Sequence, residues 1–414
     1  MGCLYTPHAC PMTFPNKNQR GTGLPPPSIG AAMTTSPPSI HISAAFDSGN
    51  IRVVDASDPA NVCLEIVHDA GGEHLQWFHF RVAGVRGRAI ALHIDNAGAC
   101  SYPKGWENYK ARVSTDRTTW RQVETDYADG VLTIRHTPDA DVIWVAYFAP
   151  YSHERHQDLL ARCQASPFAR VDRLGATLDG RDLDRVVVGS PADDKRTVWV
   201  VARQHPGESM AEWWMEGFLS RLLDPHDALA RRLRNAAVFH IVPNMNPDGS
   251  FRGHLRCNAV GANLNREWET PTAERSPEVL WVRNKMDETG VDLCLDVHGD
   301  EALPYNFIAG SDGIPSFSPR LKGLLDGFKA AYMLACPDFQ TRYGYPVSAP
   351  GTANMTMCTS QVAERFDCLA MTLEMPFKDN ADLPDGEFGW SPERCARLGA
   401  AVLHPMDAVM GQLR

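Results

Sequence analysis

Residues 197–223 read TVWVVARQHPGESMAEWWMEGFLSRLL, and this stretch contains three consecutive structural signals. Its apolar, β-branched beginning predicts a buried strand, the Pro-Gly pair within HPGES predicts a turn, and the remainder has the pattern of a helix. The same rhythm recurs through the second half of the chain. Further strands are predicted at RVVVGS, AVFHIVPNMN, VDLCLDVHG and LAMTLEMPF, and further helices at PEVLWVRNKMDETG, PRLKGLLDGFKAAYML and SPERCARLGAAVLHPMDAVMG. Strands that alternate with helices indicate an α/β fold, with a mixed open sheet flanked by helices.

The region before this α/β block has a different pattern. Short β-branched or aromatic runs are separated by turn residues, among them IRVVDA, LEIVHDA, LQWFHFRV, RAIALHIDNA, YKARVSTD, VLTIRHTP and VIWVAYFA. Regularly spaced short strands predict an antiparallel β-sandwich domain. Residues 1–40 are rich in proline and lack apolar periodicity, so we expect a disordered tail or an extended start. The predicted organisation is a tail at 1–40, a β-sandwich at 41–155 and an α/β domain at 156–414.

The composition of the 414-residue chain excludes several classes of protein. The formal net charge of −10 argues against a nucleic-acid-binding protein. The sequence contains no apolar run of about 18 residues, so no membrane-spanning helix and no membrane association are expected. Eleven scattered cysteines without a CxxC pair favour free thiols in a reducing compartment over a disulfide framework. We therefore expect a cytoplasmic protein, and the composition does not indicate its oligomeric state.

Residue types that bind metals follow two of the predicted strands. His205 and Glu208 follow TVWVVAR, and His298 follows VDLCLDV. Sites in open α/β sheets form beyond the carboxyl ends of the strands, so these three side chains are candidates for one cluster. Two His and one Glu can bind zinc with a fourth position left for water, which is a catalytic rather than a structural arrangement. An isolated HxxE is common by chance, and it is the second His in the same α/β block that favours a metal site.

The stretch NPDGSFRGHLRCNAVGANLNREW, residues 246–268, combines arginine with glycine and asparagine. It contains Arg252, Arg256 and Arg266, with Asn265 beside the last of these. A guanidinium group stays charged and can bind a carboxylate or an oxyanion through two hydrogen bonds. We therefore expect an anion-binding loop, preceded by a tight NPDG turn in which Gly249 adopts an unusual backbone conformation.

The motifs resemble those of the zinc metallocarboxypeptidases of the M14 family. The stretches that carry the resemblance are HPGES, NPDG, GANLNREW, DVHGD and TLEMPF, and they are most similar to the cytosolic carboxypeptidase branch, which includes protein deglutamylases. FDSGNIRVV, LQWFHFRV and YFAPYSHERH resemble the β-sandwich domain that precedes the catalytic domain in that branch. The resemblance covers residues 44–414 and implies a cytoplasmic hydrolase that removes the C-terminal residue of a peptide or protein. It also implies one Zn²⁺ per chain.

The resemblance assigns the metal and the proton transfer to four residues. His205, Glu208 and His298 match the zinc ligands of the family, and Glu374, in TLEMPF, matches its general base and acid. The position of Glu374 supports this assignment independently. A carboxylate is costly to bury in an apolar strand without a partner, so a functional role is favoured over a structural one.

The resemblance assigns substrate contacts to the arginine-containing loop. Arg256 matches the arginine that stabilises the tetrahedral oxyanion, and Asn265 and Arg266 match the pair that holds the terminal carboxylate of the substrate. One residue departs from the family pattern. Asn263 stands where the family often has an Asp that orients a zinc-binding His, and a neutral amide raises the basicity of that ligand less than a carboxylate does.

Two features of the family have no unique counterpart in the sequence. Either Tyr343 or Tyr345 could be the family's mobile tyrosine. A preference for acidic C-terminal residues would need a basic residue in the specificity pocket, and Arg252, Arg342 and Arg365 are equal candidates.

Two alternative functions are compatible with the same zinc motif. One is a zinc amidohydrolase of the aspartoacylase or succinylglutamate desuccinylase type, which also has an HxxE…H site and also binds carboxylates. The other is a non-catalytic binding module that retains zinc. The upstream β-sandwich favours the carboxypeptidase over the first alternative, and the presence of Glu374 and Arg256 argues against the second.

Overall fold

The computed structural model describes residues 39–414, so the tail predicted for residues 1–40 lies outside it except for its last two residues. Strands between residues 41 and 146 form two five-stranded sheets, which together we call the N-terminal β-region. Its strands are β1 (His41–Ser43), β2 (Arg52–Asp55), β3 (Val62–Glu65), β4 (His79–Ala83), β5 (Ile90–Ile94), β6 (Arg112–Ser114), β7 (Arg121–Gln122), β8 (Glu124–Ala128), β9 (Val131–His136) and β10 (Val142–Ala146).

The sheets of the N-terminal β-region have the strand orders β1-β4-β10-β6-β7 and β2-β3-β5-β9-β8. Neighbouring strands are antiparallel, as expected, except for β3 and β5, which run parallel. Strand β4 lies between β3 and β5 in the chain but belongs to the other sheet. Because the chain crosses to that sheet and returns through it, β3 and β5 run in the same direction. In β5 buried residues alternate with partly exposed ones, because successive side chains of a strand point to opposite faces.

Helices and strands alternate through residues 153–410, which we call the C-terminal α/β-region. In chain order the elements are α1 (His153–Gln164), β11 (Ala169–Ala176), β12 (Asp182–Val188), β13 (Arg196–Ala202), α2 (Met210–Leu222), α3 (Ala228–Ala236), β14 (Ala237–Val242), α4 (Pro247–Arg252), α5 (Pro277–Thr289), β15 (Leu293–Asp300), β16 (Phe307–Ala309), α6 (Pro319–Ala335), α7 (Cys358–Phe366), β17 (Leu369–Pro376), α8 (Pro392–Ala401) and α9 (Leu403–Met410). The domain boundary predicted at residue 155 falls within α1 and remains a prediction.

A seven-stranded sheet with the order β11-β12-β14-β13-β15-β17-β16 is the centre of the C-terminal α/β-region. Strands β14, β13, β15 and β17 are parallel, and antiparallel strands flank them on both sides. Every residue of β14, β15 and β17 is buried, which is typical of parallel strands covered by helices. The fold class expected from the sequence is therefore confirmed. The parallel arrangement also places the carboxyl ends of β13, β15 and β17 at one edge of the sheet.

The C-terminal helical segment differs from its prediction. SPERCARLGAAVLHPMDAVMG was expected to form one helix, but α8 ends at Ala401 and α9 begins at Leu403. Pro405 has no N–H to donate to the Ala401 carbonyl, so helical hydrogen bonding is interrupted at this point.

The NPDG segment also differs from its prediction. It forms the first turn of α4, and the side chain of Asn246 caps this turn by accepting a hydrogen bond from the Gly249 N–H at 3.0 Å. The φ angle of Gly249 is not in the left-handed region, contrary to expectation. The glycine is required for a different reason, because a Cβ at this position would lie 2.4 Å from the carbonyl oxygen of Cys257.

The N-terminal β-region and the C-terminal α/β-region share one hydrophobic core. The ring of Phe377, directly after β17, stacks on that of Tyr147 with centroids 4.4 Å apart. Arg112 in β6 donates a hydrogen bond to the Phe377 carbonyl at 3.3 Å. Within residues 39–414, the cysteines are free thiols, as expected, and no helix combines the length and apolar character needed to cross a membrane.

Candidate metal centre and active site

The turn between β13 and α2 brings His205 and Glu208 together. The chain leaves β13 at Ala202 and reverses through Arg203, whose φ of +58° lies in the left-handed region. The Glu208 N–H then donates to the His205 carbonyl at 3.2 Å, which closes the turn. As a result, Nδ1 of His205 lies 2.7 Å from Oε1 of Glu208.

His298 completes the cluster from the neighbouring strand β15. Its Nδ1 lies 2.8 Å from Oε2 of Glu208 and 3.2 Å from Nδ1 of His205. One ligand atom from each of the three residues lies within 4.8 Å of the others, and all three side chains are buried. The structure thus brings together the residues that the sequence predicts as metal ligands.

The far side of each imidazole ring faces an oxygen atom. Nε2 of His205 lies 3.0 Å from Oδ1 of Asn263, and Nε2 of His298 lies 2.9 Å from Oδ2 of Asp296. If each Nε2 carries the proton and donates it to its oxygen, both Nδ1 atoms are acceptors that face the Glu208 carboxylate. Three acceptors in contact without a donor repel one another unless a cation lies between them. The arrangement therefore fits a metal such as zinc, which prefers imidazole and carboxylate ligands.

Asp296 is a site residue that the sequence reasoning missed. It stands two positions before His298 in DVHGD, and residues two apart in a strand point to the same face, so the pattern could have identified it. Gln204 holds it in place, since its Nε2 donates to Oδ2 of Asp296 at 2.7 Å. Trp268 Nε1 in turn donates to Oε1 of Gln204 at 2.8 Å. Gln204, a poor zinc ligand, is thus a support for the metal centre.

The charges of the cluster reinforce this arrangement. Burial, aided by the positive charge of Arg256, lowers the pKa of His205 to about 3, so this imidazole is neutral at physiological pH. Burial opposes the ionisation of Glu208, but the adjacent imidazoles outweigh it and lower the pKa of the carboxyl. For His298, burial also disfavours the charged form, whereas Asp296 and Glu208 raise its pKa well above the ordinary value. The carboxylates of Glu208 and Asp296 thus favour a positive charge here, which is either a proton on Nδ1 of His298 or a metal ion in its place.

Glu374 lies beside His298 because β15 and β17 pair in parallel with these two residues in register. Its side chain is buried, and Oε2 has no hydrogen-bond partner among residues 39–414. Burial raises the pKa of Glu374 well above its ordinary value, and the charges of Glu208, Asp300 and Glu301 act in the same direction. A buried carboxyl with a free oxygen next to a metal cluster is suited to exchange a proton with a bound molecule.

Two arginines of the predicted anion-binding loop have no carboxylate partner within the described part of the chain. The guanidinium of Arg256 lies 5.4 Å above the ring of Tyr102. Nη1 of Arg266 donates to the carbonyl of Asn265 at 2.6 Å, and the residue is partly exposed to solvent. Partial loss of hydration, together with the positive charge of the nearby Arg256, lowers the pKa of Arg266. Two neighbouring guanidinium groups, neither of which forms an ion pair within residues 39–414, indicate a site for an anion.

Asn265 lies between Arg266 and the metal cluster. Its Oδ1 accepts the Cys358 N–H at 2.9 Å, which fixes the orientation of the amide. Its Nδ2 is 3.5 Å from Nε2 of His298, a nitrogen that donates to Asp296. The amide N–H groups are therefore free to bind an acceptor next to the metal cluster.

The two tyrosines that the sequence could not distinguish have different surroundings. The hydroxyl of Tyr345 donates to Oδ2 of Asp300 at 2.6 Å. Tyr343 instead stacks on Tyr305, with ring centroids 4.3 Å apart. Although the residue is partly exposed, loss of hydration around its hydroxyl, with the charges of Glu374 and Asp300, raises the pKa of Tyr345, so the hydroxyl is protonated and can donate. Tyr345 is thus the tyrosine next to the active-site carboxylates.

A cavity of about 300 Å³ extends from Glu374 and Tyr345 into the C-terminal α/β-region. Its lining includes the charged side chains of Lys329 and Asp312, and several hydroxyl groups. The three arginines that the sequence offered for this position lie elsewhere, each paired with an aspartate. The pairs are Arg252–Asp179 at 2.6 Å, Arg342–Asp382 at 2.7 Å and Arg365–Asp287 at 2.6 Å.

Comparison with known proteins matches both regions of the chain. Residues 42–148 match the model of the cytosolic carboxypeptidase N-terminal domain, and residues 157–306 match that of the zinc carboxypeptidases. Cytosolic carboxypeptidase 6 of Caenorhabditis elegans is 26% identical over 81% of this chain and 78% of its own length.

Two solved structures resemble the fold closely. A metallo-carboxypeptidase from Burkholderia cenocepacia is 46% identical, with a TM-score of 0.87 over 90% of this chain and 99% of its own. A metallo-carboxypeptidase from Pseudomonas aeruginosa, in complex with (2-guanidinoethylmercapto)succinic acid, is 44% identical, with a TM-score of 0.87 over 90% of this chain and 100% of its own.

Proposed function

Because the chain belongs to the M14 family of zinc carboxypeptidases, in its cytosolic carboxypeptidase branch, we propose that it hydrolyses the C-terminal peptide bond of a peptide or protein. One observation carries the proposal. The cluster of His205, Glu208 and His298 lies beside a carboxyl with a free oxygen and beside two guanidinium groups that form no ion pair within residues 39–414. Such a set of residues can bind a metal, a proton and a carboxylate at adjacent positions.

His205 and His298 would hold the zinc ion through Nδ1, and Glu208 would hold it through its carboxylate. When bound, zinc lowers the pKa of a water molecule and polarises the scissile carbonyl. The protein's own part is to keep the ligands in position. Asn263 and Asp296 fix the two rings from behind, and the Gly299 N–H donates to Oε2 of Glu208 at 3.0 Å.

Glu374 takes the proton from the attacking water and delivers it to the leaving amine. Its Oε2 is available for this because no other residue of the described chain binds it. Burial raises its pKa. A dication held by the neighbouring cluster would lower this pKa again, toward the range where the carboxyl can both accept and donate a proton.

Arg256 stabilises the oxyanion that develops on the scissile carbonyl. Arg266 and the Asn265 amide hold the terminal carboxylate of the substrate, which restricts cleavage to the last peptide bond. The Tyr345 hydroxyl, on the loop between α6 and α7, lies beside these groups and can donate a hydrogen bond to the substrate.

A comparison of free-acid and amidated peptides tests exopeptidase character. Losing one partner of a partly desolvated Arg–carboxylate contact costs about 2–5 kcal/mol, so amidation should lower kcat/KM at least about tenfold. Arg266→Ala should cause a similar loss on the acid and little further loss on the amide, because both changes delete the same contact. Arg275, which pairs with Glu267 at 3.0 Å, supplies the control: Arg275→Ala should cleave like wild type.

Equal cleavage of acid and amide by the wild-type protein, or cleavage inside the peptide, would contradict the carboxypeptidase proposal. A zinc amidohydrolase of the aspartoacylase type would then be the better description. Zinc binding without hydrolysis of any peptide would instead indicate a non-catalytic module.

We also propose that the enzyme prefers acidic C-terminal residues. Lys329 lies in the cavity next to Glu374 and Tyr345. Asp312 and Asp326 act on its charge, but within residues 39–414 its ammonium group forms no ion pair. The surrounding hydroxyl groups and the partial burial of Lys329 favour a polar, negatively charged occupant over an aromatic one. Asp312 lies in the same cavity and would be the partner of a basic side chain instead.

Peptides that differ only in the last residue separate these outcomes. Lys329→Gln should lower kcat/KM for a C-terminal Glu about tenfold or more and leave a C-terminal Leu almost unchanged, because only Glu loses a charged partner. Asp312→Asn is the matched control and should retain the Glu preference. A wild-type preference for Lys or Arg, abolished by Asp312→Asn, would refute the proposal.

A cytoplasmic location is a further part of the proposal. It is supported by the free, mostly buried thiols of residues 39–414, which suit a reducing compartment.

A further inference from the structure

A turn of the N-terminal β-region contacts the backbone of Arg256 directly. Oδ1 of Asp69 accepts the Leu255 N–H at 2.7 Å, and Oδ2 accepts the N–H groups of Arg256 and Cys257, both at 2.8 Å. Asp69 itself is 2% exposed. One buried carboxylate, contributed from 187 positions earlier in the chain, therefore binds three consecutive amides around the arginine of the active site.

The residues next to Asp69 form further contacts with the loop that carries Arg256. The Ala70 N–H donates to Nε2 of His254 at 3.0 Å, and Nδ1 of that ring lies 3.0 Å from the Cys257 carbonyl. Since Nε2 is the acceptor, Nδ1 carries the proton and donates it. The two backbones also touch, because a Cβ on Gly261 would lie 2.0 Å from the carbonyl oxygen of Gly71. The loop that carries Arg256 is thus held from outside its own region.

The side chain of Arg256 has a second neighbour from the N-terminal β-region. The ring of Tyr102 lies 5.4 Å from its guanidinium, within the range of a cation–π contact. No carboxylate in residues 39–414 forms an ion pair with this guanidinium, although Glu301, Glu208 and Glu374 act on its charge. Its direction therefore depends in part on the backbone conformation at Arg256 and on the tyrosine ring. The N-terminal β-region contributes to both, through Asp69 and Tyr102.

We infer that Asp69, assisted by Tyr102, is a positioning residue for Arg256, so that the N-terminal β-region completes the active site. The inference rests on the proposed function, in which Arg256 binds the developing oxyanion. Groups of this kind act only within a narrow range of geometry, and a displacement of about 1 Å can cost about 100-fold in rate. Fixing three consecutive amides to one carboxylate limits such displacement.

The test is a double-mutant cycle of Asp69→Asn and Arg256→Ala in the full-length, zinc-loaded protein. The substituted amide removes the negative charge and one acceptor, so we expect Asp69→Asn to lower kcat about tenfold or more with KM within about twofold. Zinc content and the circular dichroism spectrum should stay unchanged. Arg256→Ala alone should lower kcat about 100-fold or more, and adding Asp69→Asn should cause little further loss, because the two residues act through one contact.

Asp116 provides a matched control within the N-terminal β-region. Its Oδ1 accepts the N–H groups of Thr118 and Thr119 at 2.8 and 2.7 Å, the same type of bond, but inside its own turn. Asp116→Asn should therefore leave kcat unchanged. If Asp69→Asn does not fold, Tyr102→Leu is used instead. We expect this substitution to cause a smaller loss of kcat, and to cause little further loss when it is combined with Arg256→Ala.

The outcomes separate the inference from the proposed function. If Arg256→Ala hydrolyses peptides like wild type, the role proposed for Arg256 fails, and the positioning role of Asp69 fails with it. If Arg256→Ala is inactive but Asp69→Asn and Tyr102→Leu keep their kcat, only the inference is refuted. Losses that multiply fully in the double variant would also refute it, since Asp69 would then act independently of Arg256.

Discussion

The oxygens behind the two histidines differ in charge. Asp296 holds His298 with a carboxylate, whereas Asn263 holds His205 with a neutral amide. A carboxylate makes the imidazole a stronger ligand, so the two metal-facing nitrogens are not equivalent. In the proposed zinc site, His205 would therefore be the weaker ligand of the pair.

Asn263→Asp should strengthen zinc binding. Changes to such supporting residues alter metal affinity about 10–100-fold, and a carboxylate at this position adds the missing charge behind His205. Competition with a chelator at fixed pH measures the effect, with His298→Ala as the reference that loses zinc while remaining folded. Unchanged affinity in Asn263→Asp would show that the amide already serves the ligand as well as a carboxylate. Stoichiometric zinc in His298→Ala would contradict the ligand assignment itself.

Glu374→Gln should abolish turnover while zinc content and substrate affinity survive. The amide retains the shape of the side chain but cannot accept a proton, and positioned acid–base groups contribute about 10²–10⁴-fold to the rate. Steady-state kinetics and zinc analysis of the variant measure both effects. Glu278 is a suitable control, because burial also raises the pKa of this carboxyl, to about 7, but the residue lies on α5 and not in the metal cluster. Glu278→Gln should therefore remain active. Near-normal turnover by Glu374→Gln would remove this residue from the mechanism.

Residue types and spacing were sufficient to find the metal cluster, because two strand ends in one sheet bring His205, Glu208 and His298 to the same edge. They were insufficient for residues whose partners lie far away in the chain. Nothing in the sequence around Asp69 indicates a contact with Arg256, and nothing distinguishes Lys329 from the arginines offered for the specificity pocket. Such contacts depend on how separate elements pack, which local patterns do not encode.

At the scale of elements, periodicity identified the strands and helices with continuous apolar runs, including β13, β15, β17, α2 and α6. It missed α1 and β11, which bury few apolar side chains. Helix α1, for example, reads HERHQDLLARCQ and buries four side chains, one of which is His156. A polar residue that is buried in an ion pair cannot be distinguished from a surface residue by its sequence pattern. The ion pairs of His156 also explain how α1 packs against its neighbouring elements.

His156 joins three elements through its ionised form. Its Nδ1 lies 2.8 Å from Oε1 of Glu212 in α2, and its Nε2 lies 3.6 Å from Oδ2 of Asp184 in β12. Burial disfavours the imidazolium, but these carboxylates outweigh it and raise the pKa of His156 from 6.5 to about 9. The charged ring is therefore part of the folded structure at neutral pH.

The stability of the protein should accordingly fall between pH 6.5 and pH 9. The folded state binds this proton more tightly than the unfolded state, so the contribution is complete below the unfolded pKa and is lost as the pH rises through about 9. A shift of this size corresponds to about 3 kcal/mol. Denaturant unfolding at several pH values measures it, and His156→Gln should remove the decline that is specific to this residue. Parallel pH profiles for wild type and variant would contradict the prediction.

At the scale of the whole molecule, residues 39–414 form one compact unit. The hydrophobic core continues from the N-terminal β-region into the C-terminal α/β-region, and the contacts of Asp69 and Arg112 add polar links between them. The division into a β-sandwich domain and a catalytic domain stays a prediction, and the sequence pattern does not reveal the packing between the two regions. Because the regions share one core, we expect them to unfold together.

Phe377→Ala tests whether this core unites the two regions. The ring is fully buried and contacts Tyr147 and Phe148, with centroids 4.4 and 6.2 Å away, so the substitution leaves a cavity at the junction. Removing a buried phenylalanine costs about 3–5 kcal/mol, which for a protein of this size lowers Tm by about 5 °C. We expect a single calorimetric transition in both wild type and variant, and in the variant this transition should lie at a lower temperature.

Phe251→Ala, at a residue that is 40% exposed, is the control and should shift Tm only slightly. If Phe377→Ala instead splits the transition, or moves one of two transitions and leaves the other in place, the two regions unfold independently and the shared core does not couple them.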